Sequence, residues 1–283
     1  MDLQIITDLA CETYVLDDEK NLENGIISSL EDVFGYDVIK TEITNDKGKA
    51  LTGKEIGKYL TLYTGNVYKY TQNERKKISS ALAICIKELI ADFNLKGRTF
   101  LAVGLGNRHI ISDSLGVLCI EGLVPSHHLK GNRLFSKFDY DLASLSIPVL
   151  GQSGIECGDL IKKAAELLGA DCLIIIDSCV TSSLPRLSTT IQVSNTGIFP
   201  GGGIKSGREK ISREKTGVPV ISIGVPTTIS SSTLLYSLSS KNNLVLEATK
   251  NEEQIFLSPS DIDLSIRAMS EIIDEAIIKA IRS

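Results

Sequence analysis

Two stretches decide the fold: Thr99-Phe-Leu-Ala-Val-Gly-Leu-Gly106 and Cys172-Leu-Ile-Ile-Ile-Asp177. Each is a short apolar run bounded by turn residues. That pattern suits a strand covered on both faces, as in a parallel sheet. The first run continues through Asn107, His109 and Ser112 to Asp113 and Gly116; the second stops on Asp177. In open sheets of this kind the chemistry lies beyond the carboxyl ends of the strands. Neighbouring strands would therefore bring Asp113 and Asp177 to one rim. A helix over Ile155–Leu168, capped by Gly169, leads straight into the second run and predicts a βαβ crossover.

Outward from this centre, alternation predicts strands at Val38–Thr44, Gly57–Tyr63 and Thr189–Ser194. A further apolar strand spans Val218–Pro226, and short strands are expected at Leu3–Ile6 and Ile147–Leu150. Helical spacing predicts helices over Leu22–Phe34, Asn73–Asp92, Leu115–Leu123 and Ser260–Arg282. Asp113 or Ser112 is placed to cap the third of these, and Pro125 to end it. Asn45–Gly48 reads as a turn and Gly131–Leu145 as a surface loop. Ser230–Ser240 fits a helix or a loop. The whole, residues 1–283, reads as a single α/β domain with a mostly parallel central sheet flanked by helices.

The chain has 283 residues, 42% hydrophobic and 23% charged, as in ordinary globular proteins. A net charge of −5 gives no support for nucleic-acid binding. No apolar run approaches the ~20 residues of a membrane span, and the first residues lack a signal peptide's basic and apolar regions. None of the six cysteines forms a Cys-x-x-Cys pair, so they read as reduced, buried small residues. A cytoplasmic location is expected.

A pair of carboxylates is the leading chemistry. At ~4 Å and an effective dielectric of ~20 they repel by about 4 kcal/mol, roughly three pKa units. One then holds a proton while the other is ionised, which supplies an acid and a base for activating water on an amide. Other motifs are weaker. Gly104-x-Gly106 lacks the third glycine of a dinucleotide fingerprint, and Lys205 lacks the preceding glycine of a Walker loop. The backbone of Gly201, Gly202 and Gly203 is a candidate for holding a substrate's main chain. No serine occupies a nucleophile elbow. His127 and His128 are adjacent and would not face one ion together. No metal and no cofactor are expected.

Taken in order, several segments resemble one family. They are Thr7-Asp-Leu-Ala10, Gly57-Lys-Tyr-Leu-Thr61, Val103-Gly-Leu-Gly-Asn107 with Asp113-x-Leu-Gly116, and Gly151-x-x-Gly-Ile-Glu156. Further along come Ile175-Ile-Asp177, Thr190-Ile-Gln-Val-Ser194, Pro219–Thr227 and Ser258-Pro-Ser-Asp-Ile-Asp263. Together they are similar to the germination (spore) protease family of endospore-forming bacteria. The resemblance implies an atypical aspartic endopeptidase with a fold similar to hydrogenase-maturation proteases and no cofactor. It implies degradation of small acid-soluble spore proteins during germination, in the spore core or forespore. It also implies synthesis as a zymogen and assembly into a homo-oligomer, a tetramer. The family's catalytic aspartates fall on Asp113 and Asp177. Only six residues precede Thr7, where the family carries a longer extension. Arg108, Asn195 and Phe199 stand where it has tryptophan, aspartate and histidine. Two other readings stay open: a metal-assisted maturation-type protease using a carboxylate with His109, and a non-catalytic assembly or regulatory paralogue.

Overall fold

The computed structural model describes residues 6–14, 18–131, 139–148, 150–201, 209–242 and 255–282. Its strands are β1 (Ile26–Val33), β2 (Tyr36–Ile43), β3 (Gly57–Tyr63), β4 (Thr99–Leu105), β5 (Asp141–Ile147), β6 (Cys172–Thr181), β7 (Thr190–Ser194), β8 (Val220–Ser230) and β9 (Phe256–Leu257). Its helices are α1 (Asp18–Glu23), α2 (Asp46–Thr52), α3 (Gln72–Ala91), α4 (Leu115–Gly122), α5 (Leu150–Ser153), α6 (Cys157–Leu168), α7 (Arg213–Thr216), α8 (Ser231–Asn242) and α9 (Ile262–Ile281).

All nine strands join one sheet, in the order β1-β2-β3-β7-β8-β6-β4-β5, with β9 on the far end of β8. The two organising strands, β4 and β6, are direct neighbours and run parallel. With β5 and β8 they form a parallel block, joined through α6 as the crossover predicts. The remaining strands extend this block with antiparallel pairs.

One face of the sheet is covered by α3, α4 and α9. Ile78, Leu82, Cys85 and Leu89 of α3 and Ile266, Met269, Ile273 and Ile277 of α9 are all at most 1% exposed. They pack on Phe100, Ile174, Ile176 and Ile223 of the sheet. Each such side chain contributes roughly 1.5–3 kcal/mol of transfer free energy. The start of α3 is set by a capping box between Thr71 and Glu74. The other face carries α6 over Leu101, Val103, Leu173, Ile175 and Val220.

Several local expectations are corrected. Leu22–Phe34 is not one helix: α1 ends at Glu23, and β1 takes up Ile26–Val33. The apolar spacing there fits a helix, but Phe34 and Gly35 (φ 57° and 82°) make a tight left-handed turn that folds β1 onto β2. Asn45 does not sit in a plain turn. Its side chain accepts from Gly48 N–H at 3.0 Å and caps α2. Within Gly131–Leu145, residues 132–138 lie outside the described set, and Asp141 onward is strand β5 rather than loop. Ile147 ends β5 and Leu150 begins α5, so no separate strand forms there. Of Leu3–Ile6, only Ile6 is described, and it is not in a strand. Ser114, not Asp113 or Ser112, is the residue before α4, and no side chain caps that helix.

Candidate active site

On the face beneath α6, side chains alternate along each strand, and an apolar row turns polar along one line. β6 reads Leu173, Ile175, Asp177; β8 reads Val220, Ser222, Gly224. Register carries this line across the sheet: Asp177 lies beside Gly224, Gly224 beside Gln192, and Gln192 beside Thr61. The neighbouring row places Ser222 beside Ser194 and Ser194 beside Tyr59. These positions floor a cleft whose walls are Lys54, Asp8, Thr196, Phe199 and Lys210.

Asp177 is expected at the end of its strand, yet β6 runs on to Thr181. It nevertheless stands one residue beyond the last pair with β4, Gly104 and Ile176. At 4% exposure it is a buried carboxyl. Asp113 comes from the short 3-10 turn Ile111–Asp113 that follows β4. Two glycines set its place. Gly106 has φ 126°, and a Cβ there would run into the carbonyl oxygen of Asp113. Gly116, in the first turn of α4, lies so close to the strands that a Cβ would strike the carbonyl oxygens of Leu105 and Ile176. Asn107 N–H donates to Asp113 O at 2.9 Å, and Thr227 Oγ1 donates to Ser112 O at 2.7 Å. The turn is thereby tied to the ends of β4 and β8, beside β6.

Burial first, and the negative charge of Asp113 second, push the Asp177 carboxyl up to about 8. Two backbone donors act in the opposite sense: Ser178 N–H at 2.8 Å from Oδ1, and the N–H of Gly201. Gly201 has φ 64°. Gly202 and Gly203 lie outside the described residues.

The segment Thr7–Ala10 clamps the end of β6. Asp8 N–H donates to Val180 O and its Oδ2 accepts from Val180 N–H, both at 2.8 Å. Gln192 bridges the segment to the floor, accepting from Ala10 N–H at 2.7 Å and donating to Asp8 O at 3.1 Å. Burial raises the Asp8 carboxyl above its ordinary value and holds the Lys54 ammonium below its own; each opposes the other's shift by its charge. Lys54, Asp8 and Ser178 were not singled out from sequence. The only signal pointing there is Thr7-Asp-Leu-Ala10, one of the segments shared with the family.

Among the described residues no histidine lines this cleft. His109 and His128 are exposed. His127 Nδ1 bonds Asp141 Oδ1 at 2.7 Å, and Asp141 opens β5, so this pair sits at the amino-terminal rim, away from Asp177. Among the described residues no group of three His, Cys, Asp or Glu side chains is arranged to hold a metal ion.

A sequence profile of the germination protease family matches residues 6–247. The chain belongs to the germination protease family. Curated germination proteases similar to it include that of Bacillus pumilus (strain SAFR-032), 35% identical over 83% of this chain and 67% of that protein. That of Caldanaerobacter subterraneus subsp. tengcongensis is 31% identical over 99% of this chain and 95% of that protein. That of Clostridium acetobutylicum is 30% identical over 96% and 93%. Among solved structures, the [NiFe] hydrogenase maturation protease HycI from Thermococcus kodakarensis KOD1 aligns with 68% of this chain and 98% of that one, at TM-score 0.36 and 16% identity. Germination proteases are peptidases, and this chain is a peptidase of that family. No helix among the described residues is long and apolar enough to cross a membrane.

Proposed function

We propose that this germination protease is an atypical aspartic endopeptidase in which Asp113 and Asp177 share one proton. The observation that carries the proposal is the buried Asp177 carboxyl, raised to about 8, with the Asp113 charge beside it. At neutral pH Asp177 holds the proton and Asp113, part-exposed, carries the charge. Asp113 takes a proton from water as the water oxygen bonds to the peptide carbonyl carbon, and the carbonyl electron pair moves onto its oxygen. When that pair returns, the C–N bond breaks and Asp177 gives its proton to the departing nitrogen. Proton transfer from Asp113 back to Asp177 resets the pair. Of the three glycines expected to hold the substrate's main chain, Gly201 directs its N–H at the Asp177 carboxyl, and Gly202 and Gly203 lie outside the described residues.

The family name supports small acid-soluble spore proteins as substrates and the spore core or forespore cytoplasm as the location. Self-association is supported by β1, the edge strand at one end of the sheet, with Leu30 exposed along it and Phe34 exposed at the turn that follows; the tetramer rests on the family resemblance alone. Synthesis as a zymogen rests on the family resemblance alone. The decisive experiment is incubation of the purified protein with a small acid-soluble spore protein, beside Asp113→Asn and Asp177→Asn. Cleavage by the parent alone is expected. Undiminished cleavage by either variant would overturn the mechanism.

A further inference from the structure

The cleft holds a cation that the two aspartates do not use. Lys54 follows Gly53, the left-handed residue that ends α2 (φ 67°), and this turn sends the lysine back toward the sheet. Its side chain lines the same cleft as Asp177 and Ser178. Within the described residues its ammonium makes one hydrogen bond, to Thr7 O at 2.9 Å. An ammonium has three donors, so two are left for the cleft. The negative charges around it come from Asp8 and Glu12, with the thiols of Cys179 and Cys11 nearby. Glu12 is already engaged: its carboxylate accepts from Thr181 Oγ1 at 2.6 Å and from Ser182 N–H at 2.7 Å. Asp8 accepts from Val180 N–H. Ser178 Oγ also has no hydrogen-bond partner among the described residues, but it is closed to solvent and lies one residue out of step with Asp177, on the other face of β6. The other lysine of the cleft differs. Lys210 Nζ faces Glu55 at 3.8 Å and lies over the Phe199 ring.

An ammonium with spare donors facing a cleft is placed to receive an anion there. The acid–base pair supplies that anion. As water adds to the peptide carbonyl, its oxygen becomes negative, and fixed donors in a dry site stabilise such an oxygen strongly. We propose that Lys54 is a catalytic residue of this peptidase: its ammonium receives the scissile carbonyl oxygen as that oxygen becomes negative. Asp8 is a positioning residue, fixing Lys54 by charge and fastening the N-terminal segment to β6. The proton accounting is unchanged, because Lys54 donates hydrogen bonds and stays protonated throughout. The lowered pKa of Lys54 is consistent with this role, since a less solvated ammonium donates more strongly.

This inference rests on the two-aspartate mechanism, and its test separates the two. Lys54→Met keeps most of the length of the side chain and removes the charge. Steady-state cleavage of a small acid-soluble spore protein is expected to show kcat down about 100-fold or more, with KM within about threefold. Binding supplies an independent readout. A phosphinate peptide carries a tetrahedral anion in place of the scissile carbonyl. It should bind Lys54→Met about 100-fold more weakly, while the uncleaved parent peptide, measured in an Asp177→Asn background, binds with little change. Lys54→Gln is read in the same way if the methionine variant does not fold. Turnover within about fivefold of the parent, or equal weakening of both peptides, would overturn the role of Lys54. If Asp113→Asn and Asp177→Asn abolish cleavage while Lys54→Met does not, only the lysine fails. If the aspartate variants stay active, the underlying mechanism fails first.

Discussion

Asp177 and Asp274 are both enclosed carboxyls pushed up to about 8 by burial. Their surroundings separate them. Asp177 stands where an apolar row of the sheet opens into a cleft, beside a second carboxylate and two backbone donors. Asp274 lies on α9 against α4, where its Oδ2 occupies the space a Cβ of Gly122 would need. Its side-chain partner there is the Cys119 thiol, and its Oδ1 is closed to solvent with no hydrogen-bond partner among the described residues. Under the proposed mechanism one carboxyl has a substrate to act on and a partner to exchange a proton with; the other packs between helices with neither. The displaced pKa alone does not mark a catalytic group, because desolvation raises any enclosed carboxyl.

The largest expected difference is in turnover. Asp177→Asn should lower cleavage by about 100-fold or more, as removal of a general acid does. Asp274→Asn should leave it within about twofold. A comparable loss in both variants, with folding intact by circular dichroism, would erase the distinction.

The glycines beside the two carboxyls should differ next. Gly116→Ala drives a methyl into the backbone carbonyls of Leu105 and Ile176, which cannot swing aside. It should cost about 1–3 kcal/mol and also reduce turnover, since α4 carries the turn that holds Asp113. Gly122→Ala meets only the end of the Asp274 side chain. Its cost should be about 1 kcal/mol or less, without a change in turnover. Denaturant melts read beside cleavage assays check both.

The pH dependence of stability should be shared by the two carboxyls, so it separates them least. Both folded pKa values lie above the unfolded value of 3.8. The stabilisation they bring is therefore complete below that value and is lost as pH rises through about 8. Denaturant melts at pH 6 and pH 9 should show the parent losing about 3 kcal/mol for each of the two carboxyls. Asp274→Asn, already neutral, should lose less. An unchanged decline would mean that Asp274 is ionised in the folded protein.

Much of this was legible in the chain. The apolar runs ending near Asp113 and Asp177 do form adjacent parallel strands, and Gly169 does close α6 (φ 59°). α3 and α9 show their apolar stripes plainly, because a helix covered on one face leaves a 3.6-residue pattern. β1 was hidden. As an edge strand with most of its residues exposed, it has no strict alternation, and the apolar spacing of Ile26, Ile27, Leu30 and Val33 fits a helix equally well. The Asp8–Lys54 corner was hidden for a different reason. Lys54 reaches the cleft from a turn 123 residues before Asp177 in sequence, which only the antiparallel half of the sheet explains. No local spacing records that approach.

The most direct test of the shared proton is a carbon-13 NMR titration of the aspartate carboxyls in the parent and in Asp113→Asn. The account predicts that Asp177 titrates near 8 in the parent and at lower pH once the Asp113 charge is removed. Titration of Asp177 in the ordinary carboxylate range, or a midpoint indifferent to Asp113→Asn, would contradict it.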